Sequence, residues 1–183
     1  MLSRQEADAY LHTVLEPSCV PWRKESFQIF GRTVEVPRQL FWFGEPGLNY
    51  RYTGLDHIGT GWPDWLNQLR NRVETVASSP FNFVLLNRYD NGAEHMGWHR
   101  DDEKGTSGCI ASLSLGAARR FLYQPQPSDT NRSGSTPTSR AIELKHGSLC
   151  LFDPHMRHRL PPSRKVQQTR VNLTFRYLIP GKG

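Results

Sequence analysis

Arg170-Val171-Asn172-Leu173-Thr174-Phe175-Arg176-Tyr177 alternates polar and apolar residues without a break. Successive side chains of a β-strand point to opposite faces. Val171, Leu173, Phe175 and Tyr177 therefore share one face, and Arg170, Asn172, Thr174 and Arg176 share the other. The apolar face predicts packing on a core. The other face carries two arginines, so it needs either water outside or an anion inside. A guanidinium suits a carboxylate because its planar fork donates two parallel hydrogen bonds. Taken alone, the pattern is equally that of an amphipathic strand with a wet polar face.

Working back from this strand, the chain reads as a series of short strands: 27–30 and 33–36 joined by Gly31-Arg32, then 49–53, 82–89, 97–101, 109–115, 120–123, 141–145 and 148–152. Two helices precede or interrupt them. Ser3-Arg4-Gln5-Glu6 is a capping box, followed by an apolar stripe of Ala7, Tyr10, Leu11, Val14 and Leu15. Pro63 to about Ser78 forms the second helix, with Trp65, Leu66, Leu69, Val73 and Val76 on one side. Gln124 to Ser139 is rich in Ser, Pro and Thr and predicts a mobile surface loop inside one domain. Helices followed by many short strands predict a mainly β protein, a sandwich or jelly roll with helical support.

The totals agree with one folded domain. The chain has 183 residues, 37% of them hydrophobic and 11% aromatic, enough to bury a core. No apolar run reaches membrane-spanning length, and the N-terminus lacks the apolar stretch of a signal peptide. Cys19, Cys109 and Cys150 cannot all pair, which favours a reducing, intracellular compartment, cytoplasmic in a bacterium and nuclear in a eukaryote. The net charge of +6 is uneven: residues 117–183 hold 12 Lys/Arg against 3 Asp/Glu, and residues 1–116 hold 11 against 14. A basic half invites a polyanion, although a solvated basic face would look the same.

His99-Arg100-Asp101 is the first pointer to chemistry. On a strand the imidazole and the carboxylate share a face while Arg100 turns away. One further histidine would complete a two-His-one-carboxylate face, which leaves positions open on Fe(II) for a cosubstrate and oxygen. His95, His146, His155 and His158 all compete for that place. A helical zinc pair of His95 and His99 is disfavoured by Asn91-Gly92 and Gly97, while His155 and His158 follow the same strand and stand equal. Asn87 and Tyr89 share a face of their strand and can donate to the same ligand as the arginines.

Taken together, these stretches resemble the AlkB-type oxidative nucleic-acid demethylases, most closely the vertebrate branch that repairs duplex DNA. The likeness runs from about Phe27 to Tyr177. It is carried by Phe81 to Tyr89, by His99-Arg100-Asp101-Asp102-Glu103, by His158-Arg159-Leu160-Pro161, and by Arg170 with Arg176 six residues later. The resemblance implies a jelly-roll double-stranded β-helix over 81–179, preceded in 1–80 by helices and nucleotide-recognition hairpins. It selects His158 over His155 and assigns His99, Asp101 and His158 to Fe(II). Asn87, Tyr89, Arg170, Asn172 and Arg176 fall to 2-oxoglutarate, with Arg170 on its distal carboxylate.

The implied reaction uses O2 and removes N-methyl groups such as those of 1-methyladenine and 3-methylcytosine, releasing formaldehyde, succinate and CO2. The implied partner of a monomeric enzyme is DNA, both duplex and single-stranded. By resemblance Tyr52 stacks on a flipped base, and Tyr50 with Asp102 or Glu103 reads its exocyclic amine. Phe30 fills the gap left in the stack, Arg38 steadies that region, and Arg164 and Lys165 hold phosphates of the opposite strand. The competing readings are the same iron chemistry on RNA, protein or a small molecule, and a non-catalytic nucleic-acid-binding jelly roll.

Overall fold

A computed structural model describes residues 1–29, 32–52, 54–125 and 138–182. The first helix, α1 (Arg4–Leu15), starts at the expected capping box: the Ser3 hydroxyl accepts from the Glu6 N–H, and the Glu6 carboxylate accepts from the Ser3 N–H. It buries Ala7 and Val14. The second, α2 (Asp64–Ala77), buries Leu66, Leu69 and Val73 and ends with Ser78 in the left-handed region. Val76, expected on the buried side, is exposed, because the stripe that meets the sheet ends one turn earlier.

Among the described residues twelve strands make three sheets. A six-stranded antiparallel sheet has the order β1-β2-β5-β12-β7-β10, formed by Arg23–Ile29, Arg32–Gly44, Phe83–Tyr89, Arg170–Leu178, Thr106–Gly116 and Leu149–Phe152. A four-stranded sheet has the order β6-β11-β8-β9, from Met96–His99, Arg157–Leu160, Arg119–Gln124 and Arg140–Leu144. A small hairpin pairs β3 (Asn49–Tyr52) with β4 (Leu55–Ile58). Both helices pack on one face of the large sheet, where Val171, Leu173 and Phe175 of β12 meet α1 and α2 residues in the main core. The opposite face looks toward the small sheet and holds the polar residues of β12. This is the layering of a jelly roll.

Several elements depart from the sequence reading. β2 does not end at Val36 but runs past Pro37 to pair with β5 from Gln39 to Gly44. It can do so because the β1–β2 register slips at Glu25, so Pro37 lies at a bulge where no ladder N–H is required. β4 and β11 were not expected as strands. Asp101 lies beyond the end of β6 in a bend, with its N–H on the Pro154 carbonyl. It reaches the face of His99 through that bend and not through strand alternation. Of the Ser/Pro/Thr-rich stretch, residues 126–137 lie outside the described residues.

Cys19, Cys109 and Cys150 are free thiols. Among the described residues no helix is long and apolar enough to cross a membrane.

Candidate active site

His99 and His158 are directly opposed across the β6–β11 ladder, and their ring centroids lie 4.2 Å apart. Each ring turns Nδ1 to a backbone carbonyl two residues back, His99 to Gly97 at 2.9 Å and His158 to Met156 at 2.8 Å. A proton on each Nδ1 satisfies those carbonyls and leaves both Nε2 atoms as lone-pair donors, the orientation that a metal requires. The two Nε2 atoms lie 3.7 and 3.9 Å from the Asp101 carboxylate oxygens, too far to hydrogen-bond. All three ligand atoms fit within 4.8 Å of one another.

The charge states suit a cation. Burial pulls the His158 pKa down against the pull of Asp101, which keeps the ring neutral. Burial works to raise Asp101, but the charges of Arg176, His158, His99 and Arg38 together hold it below the ordinary value. A neutral imidazole and an ionised carboxylate are the ligating forms. His155 is mostly exposed and pairs with Asp102, and His95 turns to the Ala93 carbonyl. Neither reaches the group.

Beside this cluster a cavity of about 50 Å³, open to solvent, is lined by Tyr52, Asn87, Tyr89, Arg170, Asn172 and Arg176 as well as the three candidate ligands. Its walls also carry Leu85, Met96, Phe121, Leu144, Phe152 and Leu160. The wet-face alternative for β12 fails, because Arg170 is 2% exposed and Arg176 is 1% exposed.

The two arginines are not equivalent. Arg176 lies 3.8 Å from Asp101 and 3.5 Å from Glu103 and donates to the Tyr50 hydroxyl. Burial would lower its pKa, but Tyr50, Asp101 and Glu103 more than reverse that. Among the described residues Arg170 donates only to neutral groups, the Ser114 hydroxyl at 2.9 Å and the Asn172 side-chain oxygen at 2.8 Å. It has no carboxylate partner among the described residues, its Nε is buried without a hydrogen bond, and burial lowers its pKa to about 10. A buried cation without an acid is a site for an anionic ligand.

The remaining sequence-selected residues divide in three. Arg38 is buried and donates to the Asn87 side-chain oxygen and to the Tyr52 hydroxyl. Tyr50 and Tyr52 stack with centroids 5.9 Å apart, but only Tyr52 lines the cavity. Tyr50 is buried behind it, facing Arg176 and Glu103. Burial pushes the Glu103 carboxyl upward against the pull of Arg176. Asp102 is apart from Tyr50, 3.4 Å from His155 and partly exposed. Arg164 and Lys165 are exposed on a turn, and Phe30 lies outside the described residues.

Residues that sequence reasoning missed also shape the site. Ser112 donates to the Asn172 oxygen, and Ser114 accepts from Arg170. Buried His57 bridges β3 and β1, with Nε2 at 2.9 Å from Glu25 and Nδ1 at 3.2 Å from the Tyr50 carbonyl. Arg119 is 2% exposed and donates to the carbonyls of Asn91, Glu94 and Pro161. Its guanidinium lies 5.9 Å from the Tyr89 ring centre, and that of Arg170 lies 5.6 Å away. Nothing in Ala117-Ala118-Arg119-Arg120 says which arginine turns inward. Under Arg119, Gly92 packs so closely on Ser163 that a Cβ would approach its carbonyl to 1.9 Å. Arg119→Met strands those carbonyls at about 1–3 kcal/mol each and is expected to lower the melting temperature by several degrees. An unchanged melt would show that the clamp is idle.

Comparison with known proteins agrees with this geometry. A family profile described as the 2OG-Fe(II) oxygenase superfamily matches residues 1–176. The chain is 40% identical to the DNA oxidative demethylase ALKBH2 of Mus musculus, covering 85% of this chain and 67% of that protein. It is 39% identical to human ALKBH2, covering 83% and 60%, and 34% identical to human alpha-ketoglutarate-dependent dioxygenase alkB homolog 3, covering 91% and 61%. The chain thus spans roughly three fifths to two thirds of the length of these relatives. A crystal structure of a 2OG-Fe(II) oxygenase family oxidoreductase from Burkholderia pseudomallei shares the fold, with a TM-score of 0.63 at 14% identity over 100% of this chain and 84% of that one. The chain belongs to the 2OG-Fe(II) oxygenase superfamily, and within it to the AlkB-type branch.

Proposed function

We propose that the protein is an oxidative demethylase of N-alkylated bases in DNA, acting on lesions such as 1-methyladenine and 3-methylcytosine. The observation that carries this reading is the meeting of two half-sites in one cavity. His99, Asp101 and His158 offer three ligand atoms to a metal, and Arg170 offers a buried charge without an acid to a carboxylate. The similarity to proteins named as DNA oxidative demethylases supports the choice of substrate.

His99, Asp101 and His158 would hold Fe(II), and Arg170 would take the distal carboxylate of 2-oxoglutarate. The chemistry supplied when both are bound with O2 is oxygen insertion into an N-methyl C–H bond, after which the hydroxymethyl group leaves as formaldehyde. The chain's own residues orient the reactants. Asn172 fixes Arg170 through its side-chain oxygen, and its amide donates to Thr174. Tyr52, held by Arg38, forms the wall against which a flipped base would pack. Phe121 and Phe152 press on the His158 ring from the cavity walls and limit its water. A flipped base costs a few kcal/mol to extrude, least where methylation has already blocked pairing.

The test is formaldehyde release and base repair with 1-methyladenine and 3-methylcytosine in matched single-stranded and duplex oligonucleotides. Turnover that needs 2-oxoglutarate and Fe(II) on either DNA supports the proposal. Activity confined to RNA or protein would replace the substrate, and no 2-oxoglutarate turnover with any of them would leave a binding module.

A further inference from the structure

We propose that Trp98, Arg157 and Arg159 form a phosphate-binding ledge for the nucleic-acid strand that carries the target base. This rests on the nucleic-acid reading given above. His99 and His158 face the cavity from β6 and β11, so the residues flanking them in sequence turn to the other side of the same sheet. On that side the Arg157 and Arg159 guanidiniums lie 5.5 and 4.9 Å from the Trp98 ring centre. An indole between two guanidiniums holds both flexible arms by cation–π attraction and fixes their spacing.

Three further observations point to an anion. Arg100, Arg157 and Arg159 have no carboxylate partner among the described residues, and the Arg159 Nε is buried with no hydrogen-bond partner. Arg100 and Arg157 are exposed and line a groove with His99 and Asp102, so the cationic surface continues to a candidate metal ligand at the cavity mouth. The one carboxylate in that groove, Asp102, is drawn to His155 at 3.4 Å. A ligand that sends a base into the cavity must leave its phosphates at the rim. A guanidinium fork is the side chain best matched to them. The charge complementarity therefore commits the ledge to phosphodiesters and not to an apolar partner or a small neutral molecule.

The test uses the full chain loaded with Fe(II) and 2-oxoglutarate. Binding of an oligonucleotide carrying 1-methyladenine is followed by fluorescence anisotropy across a salt series with oxygen removed, so that the base is not turned over. Arg157→Gln with Arg159→Gln keeps much of the stem packing on Trp98 and removes both charges. It is expected to weaken binding at about 0.1 M salt by roughly tenfold or more and to flatten the log–log salt slope by about two. Trp98→Ala changes no charge and is expected to weaken binding too, with Trp98→Phe restoring most of it.

Turnover of 1-methyladenosine nucleoside, which has no phosphate, is expected to fall less than turnover of the oligonucleotide. Thermal stabilisation by 2-oxoglutarate in each variant shows that the cavity is intact. Wild-type binding with an unchanged slope in the double variant would overturn the ledge alone. Absence of DNA binding and repair in the wild type would overturn both the ledge and the substrate reading.

Discussion

His158→Ala is expected to reduce oxidative turnover by roughly a hundredfold or more, while His155→Ala stays near wild type. The two histidines are three residues apart and follow the same strand, yet only His158 is paired with His99 across the ladder. His158 is 4% exposed within the cavity wall, whereas the His155 side chain is 68% exposed. Removing His158 leaves one imidazole and one carboxylate, which hold Fe(II) poorly. Iron content measured beside formaldehyde release separates lost metal from lost folding, and His99→Ala and Asp101→Ala are expected to behave alike. Full activity in His158→Ala together with loss in His155→Ala would reassign the ligand.

The second large effect is expected at Arg170. Its pKa of about 10 in the folded protein lies below that of an unfolded arginine, so burying the charged form costs stability. That cost is full at every pH below about 10 and is relieved only as pH rises through that value. At neutral pH a bound carboxylate is what offsets it. 2-Oxoglutarate is therefore expected to raise the melting temperature, by the equivalent of about 2.7 kcal/mol at a hundredfold excess over Kd. Arg170→Lys keeps the charge but loses the fork, and its KM for 2-oxoglutarate is expected to rise by about 10- to 100-fold. Arg176→Lys makes a useful contrast, since Arg176 already has Asp101 and Glu103. An unchanged KM and an unchanged ligand-induced melting shift in Arg170→Lys would remove Arg170 from the site.

The strand that carries both arginines was the most legible part of the chain. Its alternation identified the core face, and the structure shows that the polar face is buried as well. The capping box and the apolar stripe of α1 were equally plain, because local hydrogen bonds and helical spacing are written in adjacent residues. β11 was not legible. Arg157–Leu160 has little apolar pattern, and it becomes a strand by pairing with β6 on one side and β8 on the other. The choice between His155 and His158 was hidden for the same reason, since register across a ladder is a property of two distant segments.

The pairing of His99 with Asp101 was anticipated, but by the wrong cause: a bend held by the Pro154 carbonyl brings the carboxylate round. Arg119 and His57 are buried polar residues whose partners are backbone carbonyls or a carboxylate far away in sequence. No local pattern marks such partners.

The two candidate metal histidines hang from the four-stranded sheet, and both arginines hang from the six-stranded one. A metal and a dicarboxylate bound side by side would act as a cross-tie between the two layers. Each would restrain the spacing that the other needs, so their affinities are linked. Linkage is reciprocal: the factor by which the metal tightens the acid equals the factor by which the acid tightens the metal, in whichever order they arrive.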